Sequence, residues 1–134
     1  RRKVGKDTLQ ASSRRSMWAR CLRMPFQPAR QLIDAGTAIA LASDFNPGSS
    51  PSANMQFVVA LSCIQMKMLP EEAFNAVTIN GAFAMECAHQ TGSIAIGKKA
   101  DIILTKPIPS LAYIPYSFAH NQIDRVMIAG QFIS

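Results

Sequence analysis

The chain has little of what builds a self-contained reactive centre. Its cysteines, Cys21, Cys63 and Cys87, are odd in number, widely spaced and form no C-x-x-C. That excludes a disulfide framework and a structural zinc knuckle, and reduced thiols of a cytoplasmic protein are the expectation. Histidine is scarcer: His89 and His120 stand alone, away from ligand spacing, and read as loop residues. No apolar run reaches the roughly 18 residues that a membrane span needs. No signal-peptide pattern opens the chain, which starts on Arg1 and reads as an internal piece of a longer protein.

Acidic residues are also few, 8 against 14 Lys and Arg, for a net charge of +6. The imbalance is local. Arg1, Arg2, Lys3, Lys6, Arg14, Arg15, Arg20, Arg23 and Arg30 are opposed only by Asp7 within residues 1–30. The remaining residues carry a slight acidic excess. A basic chain prompts a nucleic-acid hypothesis. Here the basicity sits in a leader, residues 1–25, without aromatic interleaving or a binding motif. That leader reads as disordered, or as the product of a truncated or shifted reading frame. No nucleic-acid partner and no membrane partner is expected.

What is present is a hydrophobic content of 49%, enough for a core, in an α/β rhythm. Residues 28–36 read as a short helix, with Pro28 near its first turn and Gly36 at its stop. Residues 37–43 read as a short, fully buried parallel strand. Ser50 and Pro51 read as N-cap and first residue of a long helix over 51–68, apolar on both faces and so buried between layers. Pro70 opens another helix, with Glu71 and Glu72 as solvated partners of its dipole. Asn80 reads as the cap of a helix to about Cys87. Then the period changes. Residues 92–97 alternate like a strand, residues 102–105 form a strand, and residues 107–122 an irregular loop. Residues 126–133 form a hairpin turning at Ala129-Gly130. So few strands are not stable alone and need partners.

The chemistry centres on Ser43-Asp44-Phe45-Asn46-Pro47-Gly48-Ser49. A carboxylate follows a strand, and Pro47-Gly48 suits a tight turn with positive φ at Gly48. The ends of buried parallel strands are where α/β folds keep their reactive groups. Read from its spacing alone, Asp44 is either such a group or a loop aspartate capping a turn.

This loop resembles the one after the last barrel strand in the imidazolonepropionase family of the amidohydrolase superfamily. The resemblance extends to Thr78-Ile79-Asn80, to Gly92-Ser93-Ile94 with Gly97-Lys98 and Ala100-Asp101-Ile102, to Pro115-Tyr116 with Phe118, and to the closing hairpin. The Gly-Lys-x-Ala-Asp element is shared across the superfamily, whereas the Asp-Phe-Asn-Pro-Gly loop is narrower. The resemblance implies an α/β fold: the C-terminal part of a metal-dependent (β/α)8 barrel plus part of a small β-sandwich domain, incomplete in this chain. Residues 26–90 would be the last βα units of the barrel and residues 91–134 the C-terminal part of the sandwich.

The resemblance also implies a site. Asp44 would be a metal ligand to Zn2+ or Fe and a catalytic base. Asn46, Gly48 and Ser49 would bind the substrate, through an amide, a free backbone N–H and a hydroxyl. The substrate would be a small molecule, 4-imidazolone-5-propanoate, opened to N-formimidoyl-L-glutamate in histidine degradation. The whole protein would admit a homodimer. The family's H-x-H pair and its middle-strand acid/base residues are not in this sequence. The chain alone is therefore expected to hold no metal and to be inactive. The other expectations are a non-catalytic remnant or interaction fragment, or an amidohydrolase or aminohydrolase of another cyclic substrate.

Overall fold

The computed structural model describes residues 26–48 and 50–133. The basic leader, residues 1–25, lies outside them. Among the described residues five helices precede or interrupt a three-stranded sheet.

Helix α1 is Ala29–Asp34. Gly36, at φ 79°, ends it. Gly36 N–H donates to Ile33 O and Thr37 N–H to Leu32 O, the paired bonds of a Schellman stop. Both the opening proline and the closing glycine act as the sequence indicates.

Residues 37–43 do not form the expected buried parallel strand. They run extended, and of them only Ile39 is buried. A parallel strand needs neighbours on its edges, and among the described residues no strand pairs with this one. Its backbone is instead tied to the helices that follow: Leu41 N–H donates to Ala76 O at 3.1 Å.

Helix α2, Met55–Met66, starts four residues later than expected. Its N-cap is Asn54, whose Oδ1 accepts Phe57 N–H at 3.1 Å, not Ser50. Ser50 is wholly buried in the preceding loop. The helix stops at Lys67, which takes φ 57°, so Met68 leaves the helix and enters the core. Val58, Val59, Ala60 and Ser62 are buried, but Ile64 is 61% exposed. The helix therefore covers one face, not two, among the described residues.

Helix α3 is Pro70–Val77 and α4 is Ile79–Ala84. Pro70 starts α3 as expected, because its missing N–H is not needed in a first turn. Glu72 is more than a solvated dipole partner. Its carboxylate accepts Leu69 N–H at 2.8 Å and grips the Arg30 guanidinium. Thr78, at φ −111° and ψ −91°, breaks the chain between α3 and α4. Thr78, not Asn80, is the N-cap position of α4.

The core joins α1, the extended segment, α2 and α3. Ala29, Ile39, Val59, Met68, Ala73 and Ala76 are buried together, with Leu32, Leu41 and Phe74 packed around them. The composition promised a larger core. Much of the remaining apolar surface stays exposed, including Phe45, Met85, Ile94 and Ile96. Residues 92–97 are not a strand: Ile94 and Ile96 are 86% and 107% exposed. A strand with nothing to pair with gains no ladder bonds to offset its ordering.

The sheet is antiparallel, in the order β1 Ile102–Thr105, β2 Ile123–Ile128, β3 Gln131–Ile133. Between β1 and β2 a short helix, α5 Tyr113–Tyr116, packs on α2 where only irregular loop was expected. The hairpin turns at Ala129 and Gly130, both at positive φ (50° and 82°), the two-residue turn that matches strand twist. Asp101 clamps it, its Oδ1 accepting Ala129 N–H at 2.8 Å while Ala100 O accepts Gly130 N–H at 3.0 Å. Lys98 Nζ donates to Ser93 Oγ at 2.7 Å and to Thr91 O at 3.2 Å. Among the described residues the Gly-Lys-x-Ala-Asp element is thus used to hold a turn and a loop. No helix among them is long and apolar enough to cross a membrane.

Candidate functional site

Asp44 stands exposed where the extended segment ends, at φ 51°. A left-handed backbone is uncommon outside glycine, and aspartate is one of the few side chains that tolerate it. The left-handed step of the loop therefore falls on Asp44. It does not fall on Gly48, which the turn chemistry had favoured and which has no positive φ. The reason is Asn46. Its Oδ1 accepts Gly48 N–H at 3.0 Å, a side-chain turn that closes the Pro47-Gly48 bend without a left-handed residue.

The loop is bonded on both flanks of Asp44. Asn46 Nδ2 donates to Asp44 O at 2.6 Å. Asn46 and Ser50 exchange backbone bonds at 2.9 and 3.2 Å, and Ser50 Oγ donates to Ser43 O at 2.7 Å. Upstream, Asn80 Nδ2 reaches across the fold to Ile39 O at 2.9 Å. Among the described residues the scaffold bonds the backbone around Asp44 and not its carboxylate, and the residue is exposed.

Two of the expected substrate groups are thus occupied inside the loop. The Gly48 N–H is not free, since Asn46 takes it, and both ends of the Asn46 amide serve the loop. Ser49 lies outside the described residues. His89 shares a 2.9 Å hydrogen bond with its neighbour Gln90, and His120 sits in the turn after α5. Among the described residues no group of three or more His, Cys, Asp or Glu is placed to hold a metal ion. Burial pushes the Cys63 thiol up, which disfavours its thiolate.

Sequence reasoning missed Asn80 and Ser50 as parts of this site. From the sequence both read as helix caps, a local role that their residue types favour. The only hint was that each stands at a break in helical periodicity.

The chain itself falls in a known family. The amidohydrolase family model matches residues 6–133, and the chain is a member of that family. Structural likeness agrees. A zinc-bound adenosine deaminase from Xanthomonas campestris aligns with TM-score 0.69 at 25% identity, covering 80% of this chain and 28% of that one. An amidohydrolase from Thermotoga maritima aligns with TM-score 0.62 at 23% identity, covering 79% and 25%.

Curated relatives narrow the class. The imidazolonepropionase of Flavobacterium johnsoniae is 60% identical over 112 residues, and that of Christiangramia forsetii 55% over 112. Both matches cover 84% of this chain and 27% of the relative, so the chain spans about a quarter of the length of the curated relatives it matches.

Proposed function

We propose that this chain is the C-terminal portion of an imidazolonepropionase and supplies its last strand-end loop. The observation that carries the reading is Asp44, held in a left-handed backbone by bonds on both flanks, in a chain 60% identical to the Flavobacterium johnsoniae enzyme. In this reading residues 26–90 are the last βα units of a barrel and residues 91–134 part of a β-sandwich. Residues 1–25 would be an atypical leader, into which the family match extends from residue 6.

The reaction is hydrolytic opening of a cyclic amide. Water adds to the ring carbonyl of 4-imidazolone-5-propanoate, the ring C–N bond breaks, and the nitrogen leaves with a proton, giving N-formimidoyl-L-glutamate. Asp44 is placed to take a proton from the attacking water. Asn46, Gly48 and Ser49 line the same loop. Asn46 and Gly48 shape it through their mutual bond, so their part in holding a polar ring with a carboxylate tail would be to set the form of the loop. The described residues do not fit a complete metal site, because one carboxylate does not hold a catalytic ion. The Zn2+ or Fe implied by the reading would take its other ligands from residues outside those described, and the chain alone would be inactive.

The test is a graft. This chain's segment replaces the matching segment of the Flavobacterium johnsoniae enzyme, and N-formimidoyl-L-glutamate formation is followed. Activity is expected, and Asp44→Asn should lower turnover by about 10²–10⁴-fold, the range for a lost general base. A graft that keeps its activity with Asp44→Asn sinks the role of Asp44. A graft that deaminates adenosine instead sinks the substrate.

A further inference from the structure

We propose that Asn80 is a positioning residue for Asp44, acting through the backbone of residues 39–43. The inference rests on the reading of Asp44 given above. It begins with the break at Thr78, whose φ of −111° and ψ of −91° end α3 and restart the chain as α4. The break has two products. Ala76 O, near the C-terminus of α3, accepts Leu41 N–H at 3.1 Å. Asn80, in the first turn of α4, directs its Nδ2 to Ile39 O at 2.9 Å. The helix junction therefore grips the extended segment at two alternate residues. Ile39 and Leu41 pack against the core beside Ala73 and Ala76, so the grip is backed by burial.

The downstream side is held separately. Ser50 Oγ bonds Ser43 O, and Asn46 Nδ2 bonds Asp44 O. Asp44 is thus suspended between two clamps, and Asn80 belongs to the one that refers it to the rest of the fold. The local loop bonds can set the shape of the turn. They cannot set where the turn sits relative to the helices. A residue that carries a reacting carboxylate must hold it to within a fraction of an ångström, and an error of about 1 Å can cost about 10²-fold in rate. Asn80 never touches the reacting atoms.

Two substitutions separate this role from simple stability. Asn80→Asp keeps the volume but removes the donor, and Asn80→Gln keeps the donor on a longer arm. On the full chain, hydrogen exchange at the Leu41 amide should accelerate at least about tenfold in Asn80→Asp, while amides inside α2 are unchanged. In the grafted enzyme, Asn80→Asp should lower kcat by about 10- to 100-fold with KM changed less than about threefold, and Asn80→Gln should recover part of the loss. Acceleration spread equally over α2 and α3 would make Asn80 a general fold residue and overturn the proposal. So would a kcat within about threefold of the parent. If Asn80→Asp fails to fold, Asn80→Ala, which also lacks the donor, decides in its place: a kcat loss with α2 protection intact supports the role, and an unchanged kcat overturns it. If the unsubstituted graft turns over no imidazolone substrate while Leu41 exchange still responds to Asn80, the reading of the activity fails and the grip on the segment stands.

Discussion

Arg30 and Glu72 meet side by side, Nη1 to Oε2 at 2.9 Å and Nη2 to Oε1 at 3.0 Å, and so lock α1 onto the start of α3. The same guanidinium reaches Asp34 Oδ1 through Nε at 2.9 Å. Arginine is suited to this because its fork matches a carboxylate in two bonds at once. The Arg30 bonds, and then Leu69 N–H, hold the Glu72 carboxyl below the usual glutamate range.

A pH dependence follows. The unfolded chain takes up this proton first as the pH falls. The stability from Glu72 is therefore complete above the ordinary glutamate value of about 4.3, and it is lost as the pH drops through the lowered one. Urea unfolding between pH 7 and pH 3 should give a midpoint that falls with acid. In Glu72→Gln the midpoint should be lower at pH 7 and the acid-side fall shallower. An unchanged slope would mean that the pair contributes nothing at this position.

Gly92 has no room for a side chain. A Cβ there would lie 2.5 Å from Ala82 Cβ and 3.0 Å from Thr78 O, at φ +84°. Gly92→Ala should destabilise the chain by on the order of 3 kcal/mol, from overpacking against α4 and a strained backbone together. Thermal unfolding measures it, and a loss below about 1 kcal/mol would show that the contact relaxes freely.

Glu86 occupies a glycine's position. It follows α4 at φ 60°, with its N–H on Phe83 O and Cys87 N–H on Ala82 O, the same stop that Gly36 makes after α1. Glu86→Gly should stabilise by about 1 kcal/mol, since a left-handed non-glycine residue costs about that much. A lower melting temperature in the variant would refute this.

Asp101 joins two stretches far apart in sequence, through Ala129 N–H. Asp101→Ala should cost about 1 kcal/mol, the worth of one partly exposed bond to a carboxylate. Amide exchange should quicken at Ala129 and leave α2 unaffected. Uniform exchange would place Asp101 outside the hairpin's support.

What the sequence by itself determined about this chain is its local punctuation. Proline at the start of α1 and α3, glycine after α1 and Ala129-Gly130 in the hairpin act through φ and missing donors, which need no distant partner. The Asp44 loop and its family were legible for the same reason, since the residues that define it are contiguous. The tertiary structure decided the rest. Asn80 and Ser50 look like helix caps, but one bonds Ile39 O across 41 positions and the other Ser43 O across seven. Local periodicity carries no record of such bonds. Residues 37–43 and 92–97 have strand composition, yet a strand exists only where a neighbour completes its ladder. Which residue of the loop turns left-handed was decided by side-chain bonding within the loop, which the turn propensities of Pro47 and Gly48 do not reveal. Asn46 closes the Pro47-Gly48 bend with its side chain, and the left-handed step falls on Asp44.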